Sequence, residues 1–137
     1  MRNIAYSCAF LTASVVCAAP AGQVLPAPVA EAFSCYTALP SQIVPVLQLA
    51  KDKESADETA LKLHEALAHI YTAREKLNAL PALTPTQNQA VRTVYGQKMR
   101  QEWATLYAEI VRLRDASCFQ SVALAREFRL MCMMIEK

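Results

Sequence analysis

Glycine is nearly missing from this chain: its 137 residues hold two, Gly22 and Gly96. That excludes a fold built from tight hairpins, whose turns need residues tolerant of positive φ. It also excludes glycine loops that cradle phosphates. Histidine is as scarce, at two residues, so three imidazoles cannot meet around one metal. Blocks of like charge are absent as well, since Lys and Arg alternate with Glu and Asp from Lys51 onward. There is then no basic stripe for nucleic acid and no polybasic patch for an anionic membrane. The length allows one domain, not two.

Long apolar runs are also lacking. The longest, Ile4 to Val16, falls short of the roughly twenty residues that a membrane span requires. With Arg2 before it and Ala18, Ala19 and Ala21 after it, the run has the layout of a secretory signal. The expected organisation is a signal peptide over 1–18, an extended Pro-rich leader over 19–28, and a single domain over 29–137. Cleavage after Ala21 is the alternative, because Ala19-Pro20-Ala21 is a literal A-x-A. The expectation is export to the periplasm or the extracellular space, with a lipoprotein anchored through Cys17 as the alternative. Loss of Arg2 leaves 13 basic against 12 acidic residues, an almost neutral exterior.

What the chain does have is helical periodicity. A first helical stretch starts near Val29 and carries Phe33, Tyr36 and Leu39. Pro40 is expected to interrupt it, with Ser41 capping a restart through Ile43, Val46, Leu47 and Leu49. A second helix, opened by a Ser55/Glu58 capping box, runs to about Leu80. Its stripe is Ala60, Leu63, Leu67, Ile70 and Leu77, with Arg74 in the remaining heptad place. Thr84, Pro85 and Gln87 open the third and longest helix, which runs to about Ala116. Its stripe is Tyr95, Met99, Trp103, Leu106, Ile110 and Leu113, with Gly96 alongside. After the break at "DASCFQS", Ser121 starts a fourth helix through Leu124, Phe128, Met131 and Ile135. The expected fold class is all-α: a small antiparallel, up-down-up-down bundle of about four helices with a long central α-hairpin.

Signal removal takes Cys8 and Cys17, leaving Cys35, Cys118 and Cys132. An oxidising compartment allows one disulfide and one free thiol. Cys35 lies roughly 22 Å below the top of its helix and Cys132 roughly 17 Å below the same end, at 1.5 Å per residue. If the first and fourth helices are neighbours, Cys35–Cys132 is the expected pair.

"HEALAH", His64 to His69, resembles the zinc-peptidase H-E-x-x-H. Its histidines are five apart, not four, and so diverge by about 140° around a helix. No metal site is assigned there. "MCMM", Met131 to Met134, offers soft ligands suited to copper, but spread over helix faces these side chains suit core packing better. Cys118 with His64 or His69 is the one nucleophile–base pairing on offer, and nothing in the pattern singles it out. No catalytic residue and no cofactor is assigned.

Leu83-Thr84-Pro85-Thr86-Gln87 resembles the L-T-x-x-Q pattern of the small periplasmic helical chaperones of the Spy/CpxP type. The match covers five residues and occurs once, where that family carries the pattern twice. The resemblance implies an exported, stress-linked helical protein. The reading that the residues favour is a non-catalytic extracytoplasmic binding or adaptor protein with a protein partner. A chaperone-like homodimer is the alternative, followed by copper handling or an enzyme.

Overall fold

The computed structural model describes residues 25–136, every regular element of which is helical. The signal peptide, its cleavage sites, Cys8, Cys17 and most of the leader lie outside the described residues. Four α-helices follow in order: α1 (Ala27–Leu47), α2 (Lys53–Asn78), α3 (Pro85–Asp115) and α4 (Val122–Glu136), with a short turn at Ser117–Gln120 before α4. None is long and apolar enough to cross a membrane.

Helix α1 does not break at Pro40. It runs unbroken through both Pro40 and Pro45, contrary to the expected interruption and restart. A proline inside a helix removes one amide donor and costs about 3 kcal/mol. Here the Pro40 ring is fully buried, so apolar burial offsets that loss. Ser41 does not cap a new helix; its hydroxyl donates back to the Ala38 carbonyl.

Helix α2 starts earlier than expected. Asp52, not Ser55, is its N-cap, and the box is reciprocal: the Asp52 carboxylate accepts the Ser55 amide at 2.9 Å, and the Asp52 amide donates to the Ser55 hydroxyl at 3.1 Å. The Ser55 hydroxyl, donating to the Asp52 carboxylate at 2.7 Å, and then the Ser55 amide hold that carboxyl below its ordinary pKa of 3.8. The start of α3 follows the sequence expectation: Thr84 accepts from the Gln87 amide, Gln87 accepts from the Thr84 amide, and Pro85 takes the first helical position. Ser121 caps α4 by accepting the Leu124 amide at 3.0 Å, and its own hydroxyl donates to Asp57 on α2.

Most stripe residues reach the core, but Leu49, expected in the first stripe, lies beyond the end of α1 and is 43% exposed. Leu39, Ile43 and Leu47 of α1, Leu63 and Ile70 of α2, Leu106 and Leu113 of α3, and Leu124 and Met131 of α4 are almost completely buried. What differs is which helices touch. Helix α1 packs on α2 and α3, and α2 packs on α1 and α4. No Cα of α2 comes within 8 Å of α3, nor any of α1 within 8 Å of α4. The up-down-up-down direction holds, but the spatial order is α3–α1–α2–α4, and the central α2–α3 hairpin is not a packed pair. Composition accounts for this. Between Ala27 and Leu47 the only charged residue is Glu31, so α1 has two apolar faces and takes an inner place. The six-residue connection Ala79–Thr84 is long enough to carry the chain past α1.

Consequently α1 and α3 lie parallel. Tyr95 donates to the Ala30 carbonyl at 3.0 Å near the start of α1, and Arg112 reaches the Leu47 carbonyl at its end. Helices α2 and α4 are parallel too, from His64 beside Glu127 to Arg74 beside Met134.

The turn before α4 is left-handed throughout. Ser117, Cys118, Phe119 and Gln120 have φ of 48°, 49°, 52° and 59°. Each L-residue held there costs about 1–2 kcal/mol. Burial of Cys118 and the stacking of Phe119 against Arg112 at 5.9 Å compensate. Gln120 is exposed and has no such compensation. Gln120→Gly should therefore raise stability by about 1 kcal/mol, read as a higher urea midpoint at unchanged m-value. Gly96 is helical, and a Cβ added there meets nothing within 4 Å. Close approach of another helix is thus not the reason for this glycine, and Gly96→Ala should stabilise by up to about 1 kcal/mol.

Candidate functional site

Helix α3 rests on α1 alone among the long helices, so part of its stripe faces an opening. Residues 96, 99, 100, 103, 104 and 107 follow the three- and four-residue spacing that puts side chains on one helical face. With Tyr36 of α1 they wall a groove of about 440 Å³. The Tyr36 and Trp103 rings stack at 4.8 Å and 27°, and Tyr107 tilts against Trp103 at 6.1 Å and 45°. Trp103 is 7% exposed and Tyr107 is 51% exposed, so the indole forms the floor and the phenol stands at the rim. Arg100 and Met99 complete the walls.

The electrostatics of the groove are mild. Burial raises the Tyr36 pKa above its ordinary 10.0, the Tyr107 hydroxyl adding to the shift and Arg74 opposing it. The phenol is therefore a neutral hydrogen-bonding group at physiological pH. The Trp103 indole N–H is buried without a hydrogen-bond partner. Aromatic faces, a thioether and a guanidinium suit contact with a partner; no nucleophile with an adjacent base stands among them.

The residues singled out from sequence go to separate places. His64 is exposed and lies 3.0 Å from Glu127 of α4, an inter-helix pair on the surface. His69 is exposed and on another side of α2, as a five-residue separation requires. Among the described residues no three His, Cys, Asp or Glu side chains gather as a metal site. Met131 is fully buried in the core, Met134 packs against it, and Met133 is 46% exposed. The "MCMM" stretch therefore spreads around α4 and is not gathered on one side. The Leu83–Gln87 motif is the helix start already described, with Thr84 and Gln87 occupied in capping.

The expected Cys35–Cys132 disulfide is not formed. Cys35, Cys118 and Cys132 are all free. The inferred pairing assumed that α1 and α4 are neighbours, whereas no Cα pair between them lies within 8 Å, and bridged Cα atoms must lie within about 7 Å. Cys35 instead faces Lys76, whose ammonium is 3.6 Å from its sulfur and 2.6 Å from the Glu31 carboxylate.

Periodicity alone does not reveal this groove. Met99 and Trp103 belong to the apolar stripe, and the stripe alone does not show that α3 would lack a second helical neighbour. The one advance signal was Gly96, a poor helix former beside that stripe.

Neither family models, nor curated proteins, nor solved structures give a match to this chain.

Burial raises the pKa of the Cys118 thiol, and burial, then Glu136 and Cys118, raise that of Cys132. Since the thiolate is the reactive form, Cys118, at 5% exposure, should be the slowest of the three to alkylate in native protein at neutral pH. In denaturant without reductant all three should alkylate fully. Peptide mapping that recovers a Cys35–Cys132 linked pair would contradict the structure.

Proposed function

We propose that this chain is an exported, non-catalytic helical binding protein that engages a protein partner outside the cytoplasm. The observation that carries the reading is the aromatic groove between α1 and α3, with Trp103 as its floor, Tyr36 stacked on the indole and Tyr107 at the rim. Tyr, Trp, Met and Arg are the side chains enriched where protein partners dock, and a half-exposed Tyr beside a buried Trp is the arrangement of an interface anchor. The N-terminal pattern of Arg2, an apolar run and small residues supports export.

The second reading is a chaperone-like protein that shields unfolded clients, favoured by the single Leu83–Gln87 motif. It requires a broader apolar surface than one groove. It would be preferred if the purified protein were a dimer that suppressed aggregation of a model client at equimolar ratio.

Two measurements test the first reading. A photo-crosslinking residue in place of Tyr107 should capture one discrete partner in the producing cell, and the same residue in place of Tyr71, exposed on α2, should not. Loss of that crosslink on Met99→Glu, with helix content unchanged, is expected. No capture, or equal capture at both positions, would refute the docking role. Intact mass of exported protein should show loss of residues 1–18 or 1–21; retention of Met1 would refute export by a cleaved signal.

A further inference from the structure

A second space lies behind the Tyr36–Trp103 stack. It is a cavity of about 180 Å³ to which all four helices contribute, with Arg74, Asn78, Tyr36 and Trp103 as its polar lining and Leu39 and Ile70 among its apolar lining. Arg74 occupies the one place in the α2 stripe that is not apolar. It donates one hydrogen bond, at 2.6 Å, to the Met134 carbonyl in the last turn of α4. Among the described residues it has no carboxylate partner.

A guanidinium carries five N–H donors, so most of Arg74's donors are unspent. A half-buried cation costs free energy unless negative charge or acceptors compensate it. The C-terminal ends of α2 and α4 supply only partial negative charge. Glu75 lies near Arg74 on the outer side without forming an ion pair.

We propose that this cavity binds a small organic monocarboxylate whose apolar body is about the size of one six-membered ring. The carboxylate takes the free donors of Arg74, which suit it in a bidentate fork, and the Asn78 amide offers one more. The body lies among Leu39, Ile70, Leu77 and Ile135. The size limit follows from volume, since a dry apolar cavity of about 150 Å³ accepts benzene. The ligand differs in class from the protein partner of the outer groove, so either proposal can fail without the other.

Trp103 is the only tryptophan and forms part of the cavity wall, so fluorescence of the intact protein reports occupancy. Cyclohexanecarboxylate should give a saturable change. Cyclohexylmethanol, with the same body and no charge, and acetate, with the charge and no body, should each bind at least about tenfold more weakly. Arg74→Gln should weaken cyclohexanecarboxylate by about tenfold or more, the usual effect of losing a hydrogen bond to a charged group. Because Arg74 also holds the last turn of α4, Leu77→Phe is the second variant: it fills the cavity, leaves the guanidinium in place, and should abolish binding at unchanged far-UV helix signal. The proposal is overturned by no saturable response, by acetate binding as tightly as cyclohexanecarboxylate, or by undiminished binding in folded Leu77→Phe.

Discussion

Arg112 is the side chain on which the placement of α3 depends. From α3 it donates to the Leu47 carbonyl at 2.7 Å, at the end of α1, and to the Ala50 carbonyl at 3.0 Å, just beyond it; both residues are buried. Its Nε donates to Glu109 at 2.7 Å, and Glu109 in turn accepts from Gln48. The Phe119 ring covers the guanidinium from the left-handed turn. The last carbonyls of a helix have no partner within it, and a cation there also meets the negative end of the helix dipole. One residue therefore satisfies the end of α1, fixes the height of α3, and seats the turn that leads to α4.

The weight on this contact follows from the spatial order α3–α1–α2–α4. Helix α3 has 31 residues but only α1 as a long-helix neighbour, so its other flank is left for the groove and the cavity. The opposite edge uses the same device. Arg74 on α2 satisfies the Met134 carbonyl near the end of α4, as Arg112 on α3 does for α1. In both cases a long cationic side chain from a neighbouring helix meets the carbonyls of a helix end that no glycine follows, Gly22 and Gly96 lying elsewhere in the chain. The two openings lie between these clamps, separated by the Tyr36–Trp103 stack.

Much of this was legible in the sequence, for local reasons. Helix content, the Thr84/Gln87 box, the Ser121 cap and the buried stripes follow from residues within one turn of each other. Pro40 misled because its burial compensates for the lost amide, and burial is a tertiary fact. Asp52 and Ser55 belong to one box, and spacing alone does not decide which of the two caps the helix. The neighbour relations were not legible from periodicity, which shows that a helix has an apolar face but not which helix covers it. The clue lay in composition: with Glu31 as its sole charge, α1 could serve two neighbours. That misassigned adjacency also produced the Cys35–Cys132 pairing and hid the groove, since both depend on which helices stand side by side.

The central claim is that α3 is held to the rest of the fold through α1, with Arg112 as its upper clamp. Hydrogen exchange followed along the chain in the wild type and in Arg112→Met, which keeps much of the aliphatic packing, tests it directly. The account predicts that amides of α3 and of the Leu47–Ala50 segment lose protection by about tenfold or more, the effect of losing charge-assisted hydrogen bonds, while those in the α2–α4 pair keep theirs. Uniform loss across all four helices, or no change in α3, would contradict it.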